Sequence, residues 1–139
     1  MRYLSKGEIT TNICNFYEGL IVGDMERMLS TCTNNVTLEW TSSKFRETFR
    51  GKNDLMQWAE NLRQMFPKIM LEKVELRINS SKAKHQFIFN LSAPDGRMGM
   101  LPAVVVYDLK NGKLQHILVT LSKGFLIFSK AQVNSLGIK

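Results

Sequence analysis

The chain has 139 residues, 44% from the hydrophobic set and 22% charged: the size and balance of one globular domain, which excludes disorder and a disulfide scaffold. Nineteen basic against twelve acidic residues leave a net charge of +7, but the charges are scattered and no nucleic-acid motif accompanies them, so nucleic acid is not an expected partner. No apolar run approaches the ~18 residues of a membrane span, the opening Met-Arg-Tyr-Leu-Ser-Lys lacks a signal-peptide core, and Cys14 and Cys32 stand at no metal spacing, so a reducing, cytoplasmic setting is expected.

Ser5 and Glu8 have capping-box spacing. Behind them Ile9, Ile13, Phe16, Tyr17, Leu20 and Ile21 fall on one helical face. Gly23 ends that helix, and Asp24 is placed to cap a short second one through Met25, Met28 and Leu29. Val36, Leu38 and Trp40 then alternate with Thr37, Glu39 and Thr41, the pattern of a half-buried strand. Residues 42–50 read as a polar loop. Lys44, Arg46, Arg50 and Lys52 make it the densest basic patch. Asn53 or Asp54 opens a third helix with Leu55, Trp58, Ala59, Leu62, Met65 and Phe66 on one face, and Pro67 stops it.

From here the period changes to two. Val74, Leu76 and Ile78 mark one strand, and Asn79-Ser80-Ser81 a turn. His85, Phe87, Phe89 and Leu91 share a face of the next strand. Pro94-Asp95-Gly96 turns the chain into a long segment, 98–109, apolar enough to be buried on both faces. Asn111-Gly112 is a strong hairpin signal, and 114–121 is the last strand. The tail from Lys123 carries a greasy run, Phe125-Leu126-Ile127-Phe128, suited to covering an apolar surface or a partner subunit. The order α-α-β-α-β-β-β-β gives an α+β fold, with three helices packed on one face of a curved, mainly antiparallel sheet.

This arrangement resembles the SnoaL-like branch of the nuclear-transport-factor-two-like superfamily, whose cone-shaped α+β barrel of cystatin-like topology also serves ketosteroid isomerase and scytalone dehydratase. The resemblance is carried by Phe16-Tyr17-Glu18-Gly19-Leu20 and Gly23-Asp24-Met25, then Leu38-Glu39-Trp40 and Arg50-Gly51-Lys52-Asn53. Phe66-Pro67, Asp95-Gly96, Tyr107-Asp108 and Asn111-Gly112-Lys113-Leu114 complete it. It covers about residues 5 to 122 and implies a single SnoaL-like domain over 1–139, with 123–139 as an extension.

The resemblance also implies an apolar pocket inside the cone. Projected onto this sequence, its lining is Tyr17, Leu20, Trp40, Trp58, Met65, Met100, Val104, Ile117 and Val119, with Val36, Leu38 and Val106 beside them. The implied ligand is a small hydrophobic molecule such as a steroid, polyketide, terpene or acyl chain, and the implied chemistry isomerase, cyclase or dehydratase-type. Such enzymes need a base and an oxyanion donor inside the cone. Tyr17 matches the isomerase donor. Trp40 stands where that pattern has its base, and Val104 where it has an acid.

Glu39 should point outward, unless the strand slips by one residue. His85 is a candidate base at a pocket rim. His116 should face outward, toward a homodimer interface through the sheet. Tyr17, Glu39 and His85 are thus the catalytic candidates, with no cofactor and no metal called for. The alternative is a non-catalytic dimeric protein-interaction module, with the basic loop and the greasy tail as partner surfaces.

Overall fold

The structure, a computed structural model, describes residues 6–42, 45–79 and 81–122. Ser5, Lys44 and the tail 123–139 lie outside the described residues, and with them the capping pair, part of the basic patch and the proposed role of the greasy run.

The first helix, α1, spans Lys6–Val22 and buries Ile9, Ile13, Phe16, Tyr17 and Leu20, the face set by the helical spacing. The short α2, Met25–Ser30, is capped as expected: the Asp24 carboxylate accepts from the Arg27 backbone N–H at 3.1 Å. Between them Gly23 adopts φ 81°, a left-handed conformation that closes the end of α1 at little cost for glycine alone. Arg63 of the third helix donates to the Leu20 and Ile21 carbonyls there, satisfying groups that a helix end leaves open. Gly19 lets the two helices meet, because a Cβ at that position would lie 2.7 Å from the Met28 nitrogen.

Strand β1, Cys32–Ser42, follows. Residues 42–50 contain no loop of the length the sequence suggested: β2, Phe45–Arg50, pairs antiparallel with β1 from Thr37↔Arg50 to Ser42↔Phe45. Helix α3, Gly51–Met65, opens with the Arg50 backbone N–H donating to Asp54 at 3.4 Å and buries Leu55, Trp58, Ala59 and Leu62. Then come β3 (Lys68–Asn79), β4 (Lys82–Ser92), β5 (Met98–Lys110) and β6 (Lys113–Leu121). The six described strands form one sheet in the order β2-β1-β6-β5-β4-β3. The last four are the expected antiparallel meander, while β1 joins β6 in parallel. The helices lie on one face, α3 over β1 and β2, α1 over β3 and β6.

Two bulges set which side chains face the helices. In β3, Lys73 pairs with Phe87 but Glu75 with Gln86, leaving Val74 as an extra, exposed residue. Val74 therefore does not share the inner face with Leu76 and Ile78. In β6, Leu114 pairs with Leu109 but His116 with Asp108, leaving Gln115 extra. The Asn111-Gly112 hairpin itself forms as expected, with φ 52° and 79°, and Asn12 of α1 donates to the Gly112 carbonyl at 2.9 Å.

The second bulge reverses the expected reading of β5. The buried residues are Leu101, Ala103, Val105, Tyr107 and Leu109. Met100 is 40% exposed, and Val104 and Val106 are half-buried on the opposite face. The strand alternates rather than being buried on both faces. On β1 and β6 the expected inner sets, Val36, Leu38 and Trp40, then Ile117 and Val119, are buried, as is Leu121.

Candidate functional site

Two groups of side chains occupy the inner face. The first sits at the centre of the cone. Tyr17 of α1 and Tyr107 of β5 are hydrogen-bonded through their hydroxyls, and His85 Nδ1 lies 3.4 Å from the Tyr107 hydroxyl. Phe16 and Phe87 pack edge-on against the Tyr17 ring at 5.2 and 5.1 Å between centroids. All five are buried. Burial pushes both phenols well above their ordinary range; the bond from Tyr107 only partly offsets this at Tyr17. Both therefore stay protonated at neutral pH and serve as hydrogen-bond donors, not bases.

His85 is at the centre of the cone rather than at a rim. Glu39 points outward, as the alternation requires. It meets His116 at 3.0 Å and Arg46 at 3.4 Å on the outer face. Asp108, 3.6 Å from the other His116 ring nitrogen, continues that row to Lys82. These groups hold opposite sides of the His116 ring, so they cannot converge on one metal ion. Among the described residues no cluster of three or more His, Cys, Asp or Glu side chains could hold a metal. Cys32, buried beneath α2, has its thiol pushed up to about 11 by burial, which leaves it unreactive near neutral pH.

The second group lies between α3 and the β1–β2 hairpin. Trp40, Glu47, Phe49, Trp58, Asn61, Leu62 and Met65 line a pocket of about 220 Å³. The hairpin register explains the composition. Trp40 pairs with Glu47 and Leu38 with Phe49, and directly opposed residues share a face. Glu47 and Phe49 thus join Trp40 on the inner face, while Arg46 turns outward to Glu39. The α3 residues Trp58, Asn61, Leu62 and Met65 fall three or four apart and close the other wall. Trp40 and Trp58 meet at 5.6 Å and 61°, and Phe49 and Trp58 at 6.5 Å and 52°. Phe89 links this pocket to the centre, 6.2 Å from Trp40 and 4.8 Å from Phe87.

Of the expected lining residues, Trp40, Trp58 and Met65 border this pocket. Tyr17 belongs to the central cluster. Leu20, Ile117 and Val119 are buried in the core. Met100 and Val104 do not face the cone at all, because of the β6 bulge. Sequence reasoning missed Tyr107, Glu47, Phe49 and Asn61. The alternation of Glu47 and Phe49 with Arg46 and Thr48 was the available signal for the inner positions of β2.

The sequence matches no family model and no curated relative. Solved structures do match. One is a nuclear-transport-factor-two-like protein of unknown function from Burkholderia pseudomallei, with a TM-score of 0.71 at 16% identity over 96% of this chain and 98% of that one. The chain has the nuclear-transport-factor-two-like fold. This cone is shared with a structure assigned as a SnoaL-like polyketide cyclase from Shewanella putrefaciens, at TM-score 0.69 and 10% identity over 81% of this chain and 88% of that chain. An LEH-like epoxide hydrolase from M. tuberculosis also has it, at TM-score 0.69 and 9% identity over 84% of each chain. The nuclear-transport-factor-two-like cone thus carries different chemistries, and a function for this chain has to be argued from its own side chains. Among the described residues no helix is long and apolar enough to cross a membrane.

Proposed function

We propose that this protein binds a small, flat, largely apolar molecule between α3 and the β1–β2 hairpin. The observation that carries this reading is the pocket of about 220 Å³ walled by Trp40, Phe49 and Trp58. Aromatic walls supply large apolar contact with little flexibility. The volume falls below the ~300–1,000 Å³ of sites for drug-sized ligands and equals about seven waters at liquid density. It therefore suits one ring with a short arm better than a four-ring steroid. In the central cluster the phenols stay protonated and act as donors, and Glu39 lies on the outer face of the sheet, away from them.

The test uses intrinsic fluorescence, because both tryptophans of the chain line the pocket. A saturable change is expected on titration with benzyl alcohol, and none with a four-ring steroid. Saturable binding of the steroid alone would contradict the reading.

We also propose a homodimer through the outer sheet face, where Ile88, Val104, Val106 and Leu118 are half-buried with no covering layer among the described residues. The free state of Cys14 and Cys32 supports a reducing, cytoplasmic setting. The packed centre of the cone favours one second reading, a non-catalytic dimeric interaction module, for which the titration would show no saturable binding of either compound.

A further inference from the structure

The pocket is not uniformly apolar. Glu47 hangs at its rim on the inner face, directly across the ladder from Trp40. Among the described residues its carboxylate has no hydrogen bond or ion pair. The neighbouring cation, Arg46, is committed to Glu39 on the opposite face. Three aromatic rings inclined to one another by 61° and 52° flank the same space. The Glu47 carboxylate sets a negative charge beside these rings, and any ring face that borders the pocket adds negative partial charge to it.

From this we propose, resting on the reading above, that the pocket selects a small organic ammonium ion over a neutral molecule of the same shape: a methylated amine or an amine on a short arm. A neutral apolar occupant would strip water from Glu47 and return nothing, which is unfavourable. An anion would be repelled by the carboxylate. An ammonium group gains from the carboxylate by ion pairing and from any bordering ring face by cation–π contact. The overall charge of +7 opposes this weakly, since ionic screening over ~8 Å at physiological salt separates scattered surface charges from the pocket.

The experiment compares choline with its neutral carbon isostere, 3,3-dimethylbutan-1-ol, by tryptophan fluorescence on the full chain. Choline should bind at least about tenfold more tightly. Glu47→Gln, at an exposed position and checked for folding by circular dichroism, should bring choline to within about threefold of the isostere by weakening choline. Equal binding of the two by the unaltered protein would overturn the selectivity while the pocket stands. Selectivity retained in Glu47→Gln would overturn the role of the carboxylate. If neither compound perturbs the tryptophans and benzyl alcohol does not either, the pocket reading fails and takes this proposal with it.

Discussion

Asp introduced at position 105 is expected to leave no folded protein, whereas Asp at position 104 is expected to leave the fold intact and to separate the proposed homodimer into monomers. The two positions are adjacent but occupy opposite faces of β5. Val105 is fully buried between His85 and Val119 on the inner face. An isolated carboxylate there costs several kcal/mol, enough to consume most of the 5–15 kcal/mol typical of a domain. Val104, between Gln86 and Thr120, lies half-buried on the outer face, where water can reach the charge and where the dimer proposed above would place a second copy of the chain. Circular dichroism and size-exclusion chromatography separate these effects. A folded Val105→Asp beside an unfolded Val104→Asp would mean that the ladder is out by one residue.

The second large effect is expected at Trp58. Truncation to Ala should cost about 3–5 kcal/mol in a urea melt, as for other large aromatic core residues. Trp58 is buried, with Trp40 on one side and Phe49 on the other, so its removal opens a void between α3 and the sheet that rigid neighbours fill only in part. Trp58→Phe keeps a ring in place and should lose well under half as much. It should still bind a one-ring ligand, more weakly. A cost for Trp58→Ala within the few tenths of a kcal/mol usual for surface sites would show that α3 does not pack on the hairpin as described.

Much of this architecture could be read from sequence because single features decided it. Asp24 caps α2 by chemistry local to three residues, and Asn111-Gly112 supplies the two positive φ angles a tight hairpin needs. The helical faces of α1 and α3 follow from spacing alone. The inner face of β5 was not legible, for a specific reason. Continuing the hairpin ladder without a bulge pairs Ile117 with Val106 and so turns Val104 and Val106 inward. The extra Gln115 moves Ile117 opposite Tyr107 instead. Both faces of β5 are apolar, so hydropathy could not arbitrate. That one residue hid Tyr107 and hence the partner of Tyr17.

The pocket was half legible for a different reason. Trp40, Trp58 and Met65 stood out as large apolar residues on regular elements. Glu47 and Phe49 sit on an edge strand that the charges of Arg46, Glu47 and Arg50 disguise as a loop. Only its pairing with β1 shows which side chains turn inward. Edge strands are commonly charged on their exposed face, so this composition is ordinary for the position even though it masks the strand.

The most direct test is a two-dimensional nitrogen–proton spectrum of labelled protein titrated with benzylamine. Two indole N–H signals are available, from Trp40 and Trp58. Binding between α3 and the β1–β2 hairpin predicts that both shift and saturate along one isotherm, with the backbone N–H signals of Glu47 and Phe49 following them and those of Tyr17 and Tyr107 unmoved. Still indole signals, with shifts confined to Tyr17, His85 and Tyr107, would place the ligand at the centre of the cone and contradict the account.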